Sequence, residues 1–125
     1  MKLTKPFNLQ QWISNNKHLL KPPVSNKNIY IESDDFIVMI VGGPNARKDY
    51  HYNETEELFY QLEGNIQVAV QTENGKEVLE LGVGDMFLLP AKMPHSPIRT
   101  ENSVGLVVER KRNNSNAKDG LLWFC

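Results

Sequence analysis

One cysteine, Cys125, is all that the 125 residues contain, so no disulfide can form within the chain and stability must come from packing. Long apolar runs are also missing. The longest, "FIVMIVGG" from Phe36, is far too short to span a bilayer, and the N-terminus lacks the continuous apolar stretch of a secretory signal. A cytoplasmic protein with no membrane partner is therefore expected. Nor does one sign of charge dominate: 14 Lys and Arg stand against 15 Asp and Glu, a formal net charge of -1. The one basic cluster, "ERKRNN" from Glu109, is short and runs into a polar stretch, so it reads as a solvated strand end and nucleic acid is not expected as a partner. Repeats and low-complexity tracts are absent.

What remains is an ordinary soluble composition, long enough for about one domain and one hydrophobic core, taken here as residues 1–125. In "PFNLQQWISNN", Leu9, Trp12 and Ile13 fall at helical spacing behind Asn8, a residue type that caps helix N-termini. Pro22 and Pro23 then break the helix into an extended crossing. Runs of strand length follow at Tyr30 to Glu32, Phe36 to Val41, Leu58 to Leu62, Ile66 to Gln71, Glu77 to Leu81, Met86 to Leu89 and Val104 to Glu109. Each is bounded by Gly, Pro, Asn or Asp. In "NIQVAVQTENGKEVLEL", Ile66, Val68 and Val70 alternate against Gln67 and Gln71, and "ENGK" has the composition of a hairpin turn. Many short strands at even spacing predict an all-β sandwich or small barrel preceded by one short helix.

Against that pattern, "KDYHYNETEELFYQLEG" sets His51 and Glu57 beside Phe59, Tyr60 and Leu62, where packing alone favours apolar groups. Residues two apart in a strand share a face, so Arg47, Asp49 and His51 point one way, as do Glu57, Phe59 and Gln61, and further on His95, Pro97 and Arg99. Two imidazoles and a carboxylate delivered from two strands would meet inside a barrel. Taken one at a time, a buried His or Glu is more often hydrogen-bonded structure than a metal ligand, and Glu56 beside Glu57 can mark a solvated turn. His18, away from these stretches, reads as a surface residue.

The spacing of these residues resembles the two motifs of the cupin superfamily: Gly43, His51, Glu57 and Gly64 in the first, Gly84, Pro90 and His95 in the second. Two departures stand out. Asn53 occupies the place of a second motif histidine, and the usual proline-x-glycine turn has become Pro90, Ala91, Lys92. A four-ligand set thus shrinks to His51, Glu57 and His95, the two-histidine, one-carboxylate pattern of non-haem Fe(II) oxygenases. The fold implied is a small double-stranded β-barrel, or jelly roll.

The strings "DYH", "EELFYQLEG", "LLPAKMPHSP" and "GLVVER" make a closer resemblance, to the 3-hydroxyanthranilate 3,4-dioxygenase family. That resemblance implies Fe(II) on His51, Glu57 and His95, and ring opening of 3-hydroxyanthranilate with dioxygen in the kynurenine route to quinolinate and NAD. It further implies that Arg47 and Arg99 hold the substrate carboxylate, with Arg47 also beside dioxygen, and that Glu109 contacts the ring substituents and takes a proton. Arg99 and Glu109 would then be the catalytic pair. Glu57, Phe59 and Pro97 would border the ring, and Asn45, Asp49 and Gln61 would orient ligands. The chemistry is consistent with this: an ortho-aminophenol chelates a metal through adjacent open positions, and a planar guanidinium suits a carboxylate. Blander roles are a rim salt bridge for Arg47 with Asp49, a strand-end pair for Glu109 with Arg110 or Lys111, and plain core for Phe59 and Pro97. The competing function is a non-redox metal-dependent cupin, either a binding module or an isomerase. A homodimer is expected. Members of the family commonly continue past the position of Cys125 with paired CxxC motifs that form a rubredoxin-like iron site; with Cys125 alone, no second iron within one chain, a shortened chain and a looser pocket near Trp123 and Phe124 are expected.

Overall fold

A computed structural model describes residues 1–21, 26–45, 49–111 and 119–122, the last four as backbone. Pro22, Pro23, Trp123, Phe124 and Cys125 lie outside the described residues. Helix α1 (Leu9–Asn16) and a 3-10 turn (Lys17–Leu20) precede ten strands. These are β1 (Asn26–Asn28), β2 (Phe36–Gly42), β3 (Tyr50–Asn53), β4 (Glu57–Glu63), β5 (Ile66–Thr72), β6 (Gly75–Leu81), β7 (Met86–Leu89), β8 (His95–Arg99), β9 (Val104–Arg110) and β10 (Asp119–Leu122). Asn8 caps α1 as its residue type predicts, its side chain accepting from the Gln11 N–H at 2.8 Å.

The strands form two five-stranded antiparallel sheets, ordered β1-β2-β9-β4-β7 and β10-β3-β8-β5-β6. Alternation along each strand decides what lies between them. Phe59, Leu89 and Val107 of the first sheet meet Ile66, Val68, Val70 and Leu81 of the second in one buried cluster. Each such side chain contributes about 1.5–3 kcal/mol when removed from water. A second cluster lies on the outer side of the first sheet, where Ile13 of α1 and Leu20 of the 3-10 turn pack on Ile40 and Val104. This lid covers only part of that surface. Beyond it, Val38, Val108, Leu58 and Leu88 form a cross-strand row over β2, β9, β4 and β7. Leu88 is 52% exposed and neighbouring Met86 66%.

One sequence expectation moves. Tyr30 to Glu32 is a turn, because the Asn28 side chain accepts from the Tyr30 N–H at 3.1 Å and the Tyr30 carbonyl accepts from Ser33. The strand lies earlier, at the polar Asn26–Asn28, which pairs with the end of β2. "ENGK" turns as expected: Thr72 and Gly75 are register partners across Glu73 and Asn74, and Gly75 takes φ 113°, a value natural to glycine. Among the described residues no helix is long and apolar enough to cross a membrane.

Candidate active site

His51 and His95 are the one register pair between β3 and β8, and their rings stand 5.8 Å apart, tilted by 34°. Glu57 opens β4 on the opposite sheet and reaches across the core, so that its Oε2 lies 3.2 Å from His95 Nε2. The three residues therefore come from three strands, one more than the sequence suggested. Two of them are deeply placed, with Glu57 8% and His95 2% exposed. His51 is nearer the surface, its Nε2 4.0 Å from Asp49 Oδ2. As the side chains stand, no three His, Cys, Asp or Glu among the described residues are drawn tightly enough to hold a metal ion. Glu57 and His95 meet; His51 faces them at one ring's distance.

The surroundings fix the orientation of each group. His95 Nδ1 lies 3.1 Å from the Met93 carbonyl, which can only accept, so Nδ1 carries the proton and Nε2 is the nitrogen turned toward Glu57. Phe59 meets the His95 ring edge-on at 85°, 6.4 Å between centroids. The Asn53 side chain donates to Glu57 Oε2 at 3.3 Å. Glu109, partly buried on β9, is the register partner of Glu57, so both carboxylates share one inner face.

Arg99 ends β8 on the same face as His95 and is 6% exposed. Burial lowers its pKa from the ordinary guanidinium value to about 10, with Glu57 pulling the other way, so the guanidinium stays charged at neutral pH. Its Nη1 is buried and has no hydrogen-bond partner among the described residues. Asn45 holds the strand from the side: Oδ1 accepts from the Arg99 N–H at 2.7 Å, and Nδ2 donates to the Pro97 carbonyl at 2.9 Å. Beneath lies Gly105, where an added Cβ would stand 3.0 Å from Gln61 Oε1 and 3.1 Å from Arg99 Nη1. The missing side chain leaves room for both. A buried guanidinium whose Nη1 has no hydrogen-bond partner among the described residues, together with a carboxylate–imidazole pair, is a constellation suited to an anionic ligand that also meets a metal.

Comparison with known proteins gives this geometry a lineage. The family model for 3-hydroxyanthranilic acid dioxygenase matches residues 1–125. The chain belongs to that family. A 3-hydroxyanthranilate 3,4-dioxygenase of Xanthomonas euvesicatoria is 53% identical over 123 residues, covering 98% of this chain and 68% of that protein. One of Bacillus cereus is 52% identical over 125 residues, covering 99% and 69%. Among solved structures, a cupin-2 domain protein of Shewanella frigidimarina aligns over 83% of this chain and all of its own, with TM-score 0.61 at 22% identity. A Neisseria meningitidis protein gives 0.63 at 19% identity over 86% of this chain. Those two likenesses establish the cupin fold.

Within that family frame, the structure brings together His51, Glu57, His95, Phe59, Arg99 and Glu109, and places Pro97, half-buried, between His95 and Arg99. Arg47 lies outside the described residues. His18 is exposed, as expected. Gln61 turns inward as expected, its Nε2 donating to the Glu63 carbonyl at 2.8 Å. Three features had no role in the sequence reading: the Met93 carbonyl on His95, the Asn53 amide on Glu57, and the space at Gly105. Only Asn53 left a trace in the sequence, as the residue standing where a histidine was expected.

Proposed function

We propose that this chain is a ring-opening dioxygenase that converts 3-hydroxyanthranilate and dioxygen to 2-amino-3-carboxymuconate semialdehyde, in the route to quinolinate and NAD, with Fe(II) held by His51, Glu57 and His95. The observation that carries the reading is the pairing of a carboxylate–imidazole contact, Glu57 to His95, with a buried guanidinium, Arg99, whose Nη1 has no protein partner among the described residues. The donor set suits the ion: two imidazoles and one carboxylate leave positions open for a chelating substrate and for oxygen. When bound, iron supplies the redox chemistry between the chelated ring and dioxygen.

The rest falls to the protein. Arg99 pairs with the substrate carboxylate, and with water excluded the pairing is strong enough to set the ring's position relative to Glu57 and His95. Glu109, beside Glu57 on the same inner face, takes the phenolic proton. Phe59 and Pro97 wall the ring, with Glu57 at its edge, and Arg47 serves the carboxylate and dioxygen. We further propose a single cupin domain over residues 1–125, a cytoplasmic location and a homodimer, the last readable by analytical ultracentrifugation. The decisive experiment is aerobic addition of 3-hydroxyanthranilate to Fe(II)-loaded protein. Growth of the strongly absorbing semialdehyde supports the reading, and depletion of free ligand without product overturns it.

A further inference from the structure

We infer that Asn53 is a positioning residue that holds Glu57 in place for metal binding and ties the strand of His51 to the turn leading into His95. This rests on the three-ligand reading above. Asn53 lies two residues after His51 in β3, so the two side chains leave the strand on the same side. Its Nδ2 donates to Glu57 Oε2 at 3.3 Å, and that same oxygen is the one 3.2 Å from His95 Nε2. A carboxylate can only accept, so the amide must present its NH2, and the assignment of its two ends is settled by chemistry. One carboxylate oxygen is thus held by a fixed neutral donor, which limits how the Glu57 head can rotate.

The main chain of Asn53 makes a second connection. Its carbonyl accepts from the Lys92 N–H at 2.7 Å. Lys92 sits in the left-handed region at φ 62°, in the turn immediately before Met93, whose carbonyl orients the His95 ring. One residue therefore touches one proposed ligand through its side chain and the approach to another through its backbone, while standing beside the third in sequence. Removing the side chain breaks the first link and leaves the second, so the role can be tested without dismantling the turn.

The test uses the full chain and its Asn53→Ala and Asn53→Leu variants, the latter close to isosteric but without a donor. Anaerobic Fe(II) affinity is measured by competition with a chromophoric chelator, ligand-field absorption is recorded on the Co(II) form, and the melting temperature is recorded without metal. We expect affinity to fall by about 10- to 100-fold, the range for lost partners of metal ligands, with the Co(II) bands shifted and the metal-free melting temperature unchanged. A smaller loss with unshifted bands in the folded variants overturns the inference, as does failure of both variants to fold, which would make Asn53 a structural residue. If the parent chain binds neither metal, the three-ligand reading itself is what fails.

Discussion

Glu57 and His95 belong to different sheets, yet their side chains meet at 3.2 Å across the core. The site is therefore a property of how the sheets face each other, and the placement of Glu57 and His95 depends on packing by Phe59 and Val107 as much as on their own strands.

Removing any one proposed ligand should empty the site. His51→Ala, Glu57→Ala and His95→Ala are each expected to take bound iron from about one per chain to near zero, since two remaining donors hold a divalent ion poorly. Metal analysis of the purified variants checks this, and iron retained by one of them would strike that residue from the set.

Arg99→Ala should spare iron and weaken substrate. Loss of a buried charge-assisted contact costs roughly 2 to 5 kcal/mol, hence about 30-fold or more in kcat/KM. The parent should turn over 2-aminophenol, which lacks the carboxylate, far more slowly than 3-hydroxyanthranilate. Equal rates on the two substrates would show that Arg99 reads no carboxylate.

The same residue should limit stability. A base whose pKa is lowered by folding carries a cost that is fully present below the folded value, about 10, and is relieved as pH rises from there toward the higher value of the unfolded chain. At neutral pH the cost is of order 3 kcal/mol at most, because each tenfold loss of proton affinity on folding is worth about 1.4 kcal/mol. Arg99→Met should therefore melt a few degrees higher than the parent at pH 7 while losing activity. A lower melting temperature would mean that attraction to Glu57 outweighs desolvation.

A change far from the site should act on the fold alone. A Cβ at Gly42 would come within 2.3 Å of the Leu20 carbonyl oxygen and 2.7 Å of Leu20 Cβ, so Gly42→Ala must push the 3-10 turn off β2. Overpacking of this kind costs about 1 to 3 kcal/mol. Urea unfolding should show a lower midpoint, and an unchanged midpoint would mean that the turn shifts freely.

Local chemistry made much of the fold legible. Ile66, Val68 and Val70 advertise a half-buried strand, "ENGK" its turn and Asn8 the start of the helix, because each signal acts within a few residues. Asn26–Asn28 gave no such signal: a polar edge strand has no buried face to alternate, while apolar Tyr30 and Ile31 look more strand-like than the Asn28 turn allows. At the site, the residues proposed as ligands, His51, Glu57 and His95, were singled out by their spacing in the motifs. The grip of Asn45 on β8, the depth of Arg99 and the space at Gly105 depend on contacts between distant segments, and no pattern along the chain encodes them.

The outer row of Val38, Val108, Leu58 and Leu88 bears on how the protein behaves in a tube. With a net charge of only -1, copies repel one another weakly near neutral pH, so this apolar strip governs colloidal behaviour. The protein should bind a phenyl column at moderate ammonium sulfate and salt out early. Leu88→Lys should shorten its retention and raise its solubility without reaching the inner face where Glu57 and His95 meet.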